Sequence, residues 1–360
     1  MKKLQKSKFK LLTSVLSIAC ILAALLLLNS CSSTKGMTFE LNEDETEYTL
    51  TDYEGSEKKI KIPEKYNKKP VTAIGDEAFK DCETVKSVKI PDTVKSVGAN
   101  AFSGCKALSE ITFAGEVEKY GVAAFAYCTA LTEITIPEGA KSLPSALFIG
   151  SENLESVVLP ASLESLFYGT FLGCDNIEYI SVQKGNKKFH SAGNCVIETA
   201  TKTLVVGTGS SVIPDDGSVE IIGEGAFYSR KTLPYIVIPK SVKTVEKEAF
   251  LNCEKLRYVR LLGVEEIKES AFHGCVSIHY ILVSKELDAI YDLAFWNCSA
   301  LKKIYYEGND ANWGSISTTP ETNGLHNATV FYYSETQPTV KGKFWHYSEK
   351  DIIEVWPEVK

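Results

Sequence analysis

The stretch AFAYCTALTEITIPEGAKSLPSA, residues 124–146, decides the fold, because the frame it sets returns along the chain at a fixed interval. Its second residue, Phe125, has counterparts at Phe79, Phe102, Phe148 and Phe171, each 23 residues from the next. After a gap the series resumes at Phe227, Phe250, Phe272 and Phe295, with spacings of 23, 22 and 23. Three residues beyond the phenylalanine there is usually a cysteine: Cys82, Cys105, Cys128, Cys174, Cys253, Cys275 and Cys298. Three further on stands an aliphatic such as Leu131. Aliphatics at alternate positions follow, as in Ile134 and Ile136, often closed by a proline such as Pro137. The unit is A-F-x-x-C-x-x-L-x-x-I-x-I-P-x-x-V-x-x-I, and nine copies stand in one chain.

The alternation in L-x-x-I-x-I predicts a short strand with one buried face. The Ala-Phe-x-x-Cys segment is too short for a full helix and predicts a helical turn, while the proline ends the strand. A single unit cannot bury its own apolar face, but stacked units bury a continuous core. The expected fold is therefore a repeat solenoid of mostly short parallel β-strands with short helical turns and β-rich caps.

From about Val71 to Tyr306 the frame resembles the BspA-like branch of the leucine-rich repeat family. The Ala-Phe pair, the cysteine and the proline stand where other leucine-rich repeats carry an asparagine ladder. The resemblance implies a curved, right-handed stack with a parallel sheet on its concave face. It also implies a place on a bacterial surface and a role in binding proteins or host components.

The organisation around the repeats follows from where the frame fails. Residues 183–220 interrupt it, with hairpin strands expected at Cys195-Val-Ile-Glu-Thr and Thr203-Leu-Val-Val. Residues 37–70 alternate and predict an N-terminal β cap, and 307–360 are aromatic-rich and predict a C-terminal cap on the repeats of 71–306. At the start, Lys2, Lys3, Lys6, Lys8 and Lys10 precede an apolar run from Leu11 to Leu28, then Leu28-Asn29-Ser30-Cys31. That layout predicts a secretory signal peptide over 1–30. The Leu-x-Ser-Cys ending resembles a bacterial lipobox, which implies lipid on Cys31 and a short tether over 31–36. An uncleaved membrane helix is the competing reading of the same run. Both place the body outside the cytoplasm, held to a membrane by its N-terminus.

Residues 1–30 hold five lysines and no acid, so removing them takes the net charge from −7 to −12. An acidic body does not suit phosphate backbones or anionic headgroups, which argues against nucleic acid as a partner. The cysteines sit at one repeat position, without zinc-ligand spacing, and predict reduced, packed thiols. Cys195, inside the interruption, is the expected exception if there is one. No histidine has a partner at metal or triad spacing, and no phosphate or dinucleotide loop occurs. No cofactor, metal or catalytic residue is expected.

Strand parity gives the sharper expectation. The second and fourth residues after the leading aliphatic point away from the core. In the later repeats these positions carry Tyr179, Tyr235, Tyr258, Tyr280 and Tyr305, flanked by Arg257, Arg260 and His279. Tyrosine and arginine are enriched at binding hot spots, although tyrosine also simply suits an exposed strand. These eight residues are the candidate face for an extracellular protein or glycan. A structural envelope scaffold and, more remotely, an extracellular hydrolase are the other readings.

Overall fold

In the computed structural model the described residues are 34–167, 169–318 and 324–358. They form a β-solenoid of about twelve turns with nearly no helix. Each repeat contributes two strands. The longer one follows the alternating aliphatics, as in Ser87–Ile90, Glu110–Phe113 and Ser156–Leu159. The shorter comes from the V-x-x-I end of the frame, as in Ser96–Val97 and Lys119–Tyr120, and has no counterpart in the sequence reading. Both kinds pair in parallel with their equivalents one repeat away, Val88 opposite Ile111 and Val97 opposite Tyr120.

The third side of each turn is the Ala-Phe-x-x-Cys segment, a pair of linked turns rather than a turn of helix. Residues two before and two after the phenylalanine have positive φ in all nine copies, from Glu77 (+59°) and Asp81 (+57°) to Leu293 (+57°) and Asn297 (+60°). The later position is glycine in several copies, such as Gly104 at +75°, where only glycine escapes the steric cost. This reversal aims the amides along the stack. Glu77, Phe79 and Asp81 donate their N–H groups to the carbonyls of Ala99, Ala101 and Ser103. Phe102 and Gly104 do the same to Ala124 and Ala126. A third backbone ladder thus stands where no strand was expected.

Inside this ladder the phenylalanines stack. Phe79, Phe102, Phe125, Phe148 and Phe171 have successive ring centroids 4.9–5.6 Å apart, and Phe227, Phe250, Phe272 and Phe295 are 4.7–5.1 Å apart. The cysteines of this column, buried except for half-buried Cys82, lie beside them, and each also has a polar task. Cys105 Sγ donates to the carbonyl of Phe79 at 3.0 Å, and Cys128 to that of Phe102 at 3.3 Å. Where serine replaces cysteine, Ser151 Oγ does the same to Phe125 at 2.8 Å. All eight cysteines of the described residues are free, Cys195 included.

The interruption carries the expected hairpin, Cys195–Glu198 antiparallel to Thr203–Gly207. The second strand then pairs in parallel with Ile221–Ile222, so the shorter sheet resumes. The hairpin is buried on both faces. Val196 and Val206 join the apolar core of the first half, while Cys195, Ile197 and Leu204 join that of the second. At the cysteine position of the next repeat stands Arg230, fully buried, whose longer side chain reaches across the added residues. Its Nε donates to Gly207 O and its Nη1 to Cys174 O, both at 2.8 Å.

At the N-terminal end, Met37–Leu41 and Tyr48–Tyr53 form an antiparallel pair, and the second strand joins Lys69–Ile74 in parallel. At the other end the longer sheet continues past Tyr306 through Thr329–Tyr333 and Phe344–Tyr347, closing with antiparallel Ile353–Val355. Both ends of the core are covered, so the chain from Thr34 onward is a folding unit. The leader, Cys31 and the first residues of the tether lie outside the described residues.

Burial pushes the thiols of Cys105, Cys174 and Cys298 up to about 12 and that of Cys195 to about 11. The thiolate is the reactive form, so at pH 8 these groups stay protonated. In the chain from Thr34, native-state alkylation at pH 8 should be confined to Cys82, the one half-buried thiol, with all eight modified after unfolding. Mass spectrometry after iodoacetamide treatment reads this, and rapid native labelling of Cys128 or Cys275 would contradict the ladder.

Candidate ligand-binding face

The outward side of the longer sheet carries the tyrosines the sequence singled out, but it divides them. Tyr179 stands on the three-stranded sheet of the first half, 59% exposed. Tyr235 starts a separate seven-stranded sheet, and its strand has no pairing to Tyr179–Val182. The interruption separates the two. Within the second sheet Tyr235, Tyr258, Tyr280 and Lys303 occupy successive equivalent positions, as do Val237, Arg260, Leu282 and Tyr305.

Exposure falls along this row. Tyr235 is 62% exposed, Tyr258 40%, and Tyr280 only half-buried. Tyr305 is 5% exposed, a correction to the expectation that it presents itself to a ligand. The parity is as expected, since Leu282 and Tyr305 point away from the main core. What covers them is the C-terminal segment, whose Trp345 is fully buried against both in a small second core. Trp345 Nε1 donates to Tyr306 O at 3.0 Å, and Tyr347 Oη donates to Glu307 Oε1 at 2.9 Å. Burial raises the phenol pKa of Tyr280 and of Tyr305, and raises that of Tyr347 to about 12, with Glu307 adding to the effect.

The aromatic rings form a chain that runs from water into this second core. Tyr258 and Tyr280 have centroids 4.8 Å apart with planes tilted 36°, and Tyr280 meets Tyr305 edge-on at 5.4 Å. Arg260 lies below the exposed end, its guanidinium 5.9 Å from the Tyr347 ring and its Nε buried without a hydrogen-bond partner among the described residues. It is therefore a packing group more than a free contact.

Beside the tyrosines runs a second column. The residue before each tyrosine position is Arg257, then His279, then Lys302, joined through the backbone: His279 N–H donates to Arg257 O and Lys302 N–H to His279 O. All three are exposed. His279 lies 6.0 Å from the Tyr258 ring. The sequence reading named Arg257 and His279, placed Lys303 in the outward row without making it a candidate, and missed Lys302, whose signal was its register with Arg257 and His279. None of Arg257, His279, Lys302 and Lys303 forms an ion pair among the described residues, although ten lysine–carboxylate pairs and one histidine–carboxylate pair occur elsewhere.

The alternatives gain less. Among the described residues no group of three His, Cys, Asp or Glu side chains is placed to hold a metal ion. The cleft beside the interruption, lined by Phe171, Val206, Glu224 and Arg230, holds one carboxylate. The one beside Trp296, Cys298 and His326 holds none. No described helix is long and apolar enough to cross a membrane.

Strand pairing, stacked phenylalanines and an outward face free for contact define a leucine-rich repeat solenoid. The chain belongs to the BspA type leucine rich repeat region family, whose model matches residues 52–194 and 211–317 in six copies and leaves out the two-faced hairpin. Among solved structures it is similar to the pneumococcal vaccine antigen PcpA, 17% identical over 85% of this chain and 94% of that one, with a TM-score of 0.54. A leucine-rich repeat protein from Eubacterium ventriosum is also 17% identical, over 76% of this chain and 83% of that one, with a TM-score of 0.52. A leucine rich cell surface protein from Faecalibacterium prausnitzii is 24% identical over 79% and 96%, with a TM-score of 0.41. These likenesses concern the fold. A comparison with curated proteins returns no match.

The division of the row can be measured as stability. Tyr305→Ala should lower unfolding free energy by about 3 kcal/mol, as for other buried aromatics. Tyr235→Ala should stay within about 0.5 kcal/mol of the parent, as for exposed sites. Urea titration of the chain from Thr34 checks both, and equal losses would mean that Tyr235 is also structural.

Proposed function

We propose that this protein is a lipid-anchored surface protein that binds an extracellular protein or glycan through the row Tyr235, Tyr258 and Tyr280 and the adjoining Arg257, His279 and Lys302. The observation that carries the reading is the pairing of an exposed tyrosine column with the column Arg257, His279 and Lys302, which forms no carboxylate pair among the described residues. Exposed aromatics and arginine supply most of the contact energy at interfaces. Unpaired cations beside them favour a ligand with acidic groups, by complementarity that mainly speeds and orients association. Tyr179 lies apart from this row and Tyr305 lies beneath the C-terminal segment, so neither belongs to the contact surface. The chemistry is recognition rather than catalysis.

Family membership and the leader support a location on the outer face of the cell envelope, with the lipid on Cys31. Metabolic labelling with a palmitate analogue should mark the full chain and fail with Cys31→Ser. Undiminished labelling of that variant would overturn the anchor.

For the binding face, the chain from Thr34 is screened against glycans and extracellular-matrix proteins, with the double variant Tyr235→Ala, Tyr258→Ala alongside. Two interface aromatics are worth about 1–2 kcal/mol each, so affinity for any specific ligand should fall at least about tenfold with thermal stability unchanged. A specific ligand held equally by parent and variant would place recognition elsewhere.

A further inference from the structure

Residues 58–69 hold six lysines and one glutamate, a local charge of +5 (6 − 1), in a body that totals −12 without the leader. The solenoid concentrates this charge further. Lys59–Lys61 is the first strand of the longer sheet and pairs with Ser87–Ile90, which sets Lys61 opposite Lys89. The carbonyl of Lys58 accepts the amides of Lys86 and Ser87, so Lys58 and Lys86 are also neighbours across the first two strands. All five side chains are exposed. The ion pairs at this end, Lys80–Glu77 and Lys106–Glu83, engage none of the five. Like charges set opposite one another on paired strands repel, and anions brought to the patch relieve that repulsion.

Its position says which anions. Gly36 O accepts from Glu54 N–H at 2.8 Å, and Lys58 follows four residues after Glu54. Thr34 is three residues from Cys31, a reach of about 10 Å when extended. The lysines therefore sit at the end of the solenoid nearest the residue that receives the lipid. We propose that the Lys58, Lys59, Lys61, Lys86 and Lys89 surface docks on anionic lipid headgroups of that membrane, fixing how the solenoid stands on its tether. The geometry of this proposal rests on the lipid-anchor reading, while the patch itself does not. The average acidity of the body hides it, because the remaining residues carry the compensating acids. Near a charged bilayer each such lysine is worth roughly fivefold in partitioning. The tyrosine row lies beyond five further strands of the longer sheet and the interruption, more than about 24 Å away at the spacing of paired strands, and stays clear of the contact.

The test floats the chain from Thr34 with vesicles of phosphatidylcholine alone and of phosphatidylcholine mixed with phosphatidylglycerol, at low and high salt. The expected result is flotation with the anionic vesicles only, lost at high salt. It should fall at least about tenfold when all five lysines become glutamine, with an unchanged thermal midpoint. No flotation, equal flotation on neutral lipid, or an unaffected variant overturns the proposal. Binding of soluble polyphosphate through the same lysines without vesicle binding also overturns it, by assigning the patch to a polymer. Failure of the anchor reading registers separately, as absent palmitate on Cys31, and leaves the vesicle result standing.

Discussion

One length governs the molecule: the rise from each turn of the coil to the next. Paired strands fix it at about 4.8 Å, and the stacked phenylalanines meet it with centroids 4.7–5.6 Å apart. Their planes are within 3–14° of parallel, so the rings stack within the distance range that aromatic pairs favour. The backbone rise and the rings agree, and the positive φ values on either side of each phenylalanine bring the third side to that rise. They turn the amides of the third side along the axis, where they bond at the same rise as the strands. The thiols add a second donor to the carbonyl of the phenylalanine one turn back, which already accepts a backbone N–H from its own turn, as Phe79 O does from Cys82 and Phe102 O from Cys105. A carbonyl has two lone pairs, and cysteine is small enough to fill the second without breaking the apolar column.

That dependence explains what a reader of the sequence could and could not see. The period, the buried positions and the outward parity of Tyr235 and Tyr258 are local and repeat nine times, so they stand out. The shorter strand was hidden because two residues, such as Ser96 and Val97, carry too little alternation to announce a strand. The third ladder was hidden because residues as unlike as Glu77, Asn100 and Ala123 adopt the same left-handed backbone, forced by stacking rather than by their own preference. Tyr305 was misplaced for a different reason. Its parity was read correctly, but its burial depends on Trp345, forty residues on, and contact at that distance leaves no periodic trace.

The interruption shows how strictly the rise is enforced. An extra ten residues beyond two units could have been looped out, leaving two cores with bare ends. Instead the hairpin enters the stack, with Val196 facing one half and Ile197 the other. A strand buried on both faces is a run of apolar residues without alternation, as Cys195-Val196-Ile197 is. The phenylalanine column breaks between Phe171 and Phe227, and Gly207 takes the place of a ring, its N–H donating to Ala226 O as the phenylalanines' do. Arg230 completes the repair by spanning to two carbonyls that a cysteine could not reach. Burying a guanidinium is costly, and burial lowers its pKa, so the charge is tolerated for the carbonyls it satisfies.

A coil whose turns touch only their neighbours cannot pass information readily from end to end, but it can hold different chemistries at fixed separations. The first two strands of the longer sheet carry unpaired lysines, and the strands that follow carry Glu110 and Glu133 at the outward position. Tyrosine first takes this position at Tyr179, before the hairpin, and returns after it at Tyr235, Tyr258 and Tyr280. The core beneath does not change across this series, because the buried positions repeat and the outward ones do not. Surface chemistry is therefore free to vary with distance along the axis while the fold stays constant. Cationic groups reappear beside the tyrosines, in Arg257, His279 and Lys302, far from the first cluster and separated from it by the acidic stretch. The two regions differ in what surrounds their positive groups, lysines alone at one end and tyrosines beside them at the other, because the outward positions vary while the buried ones repeat.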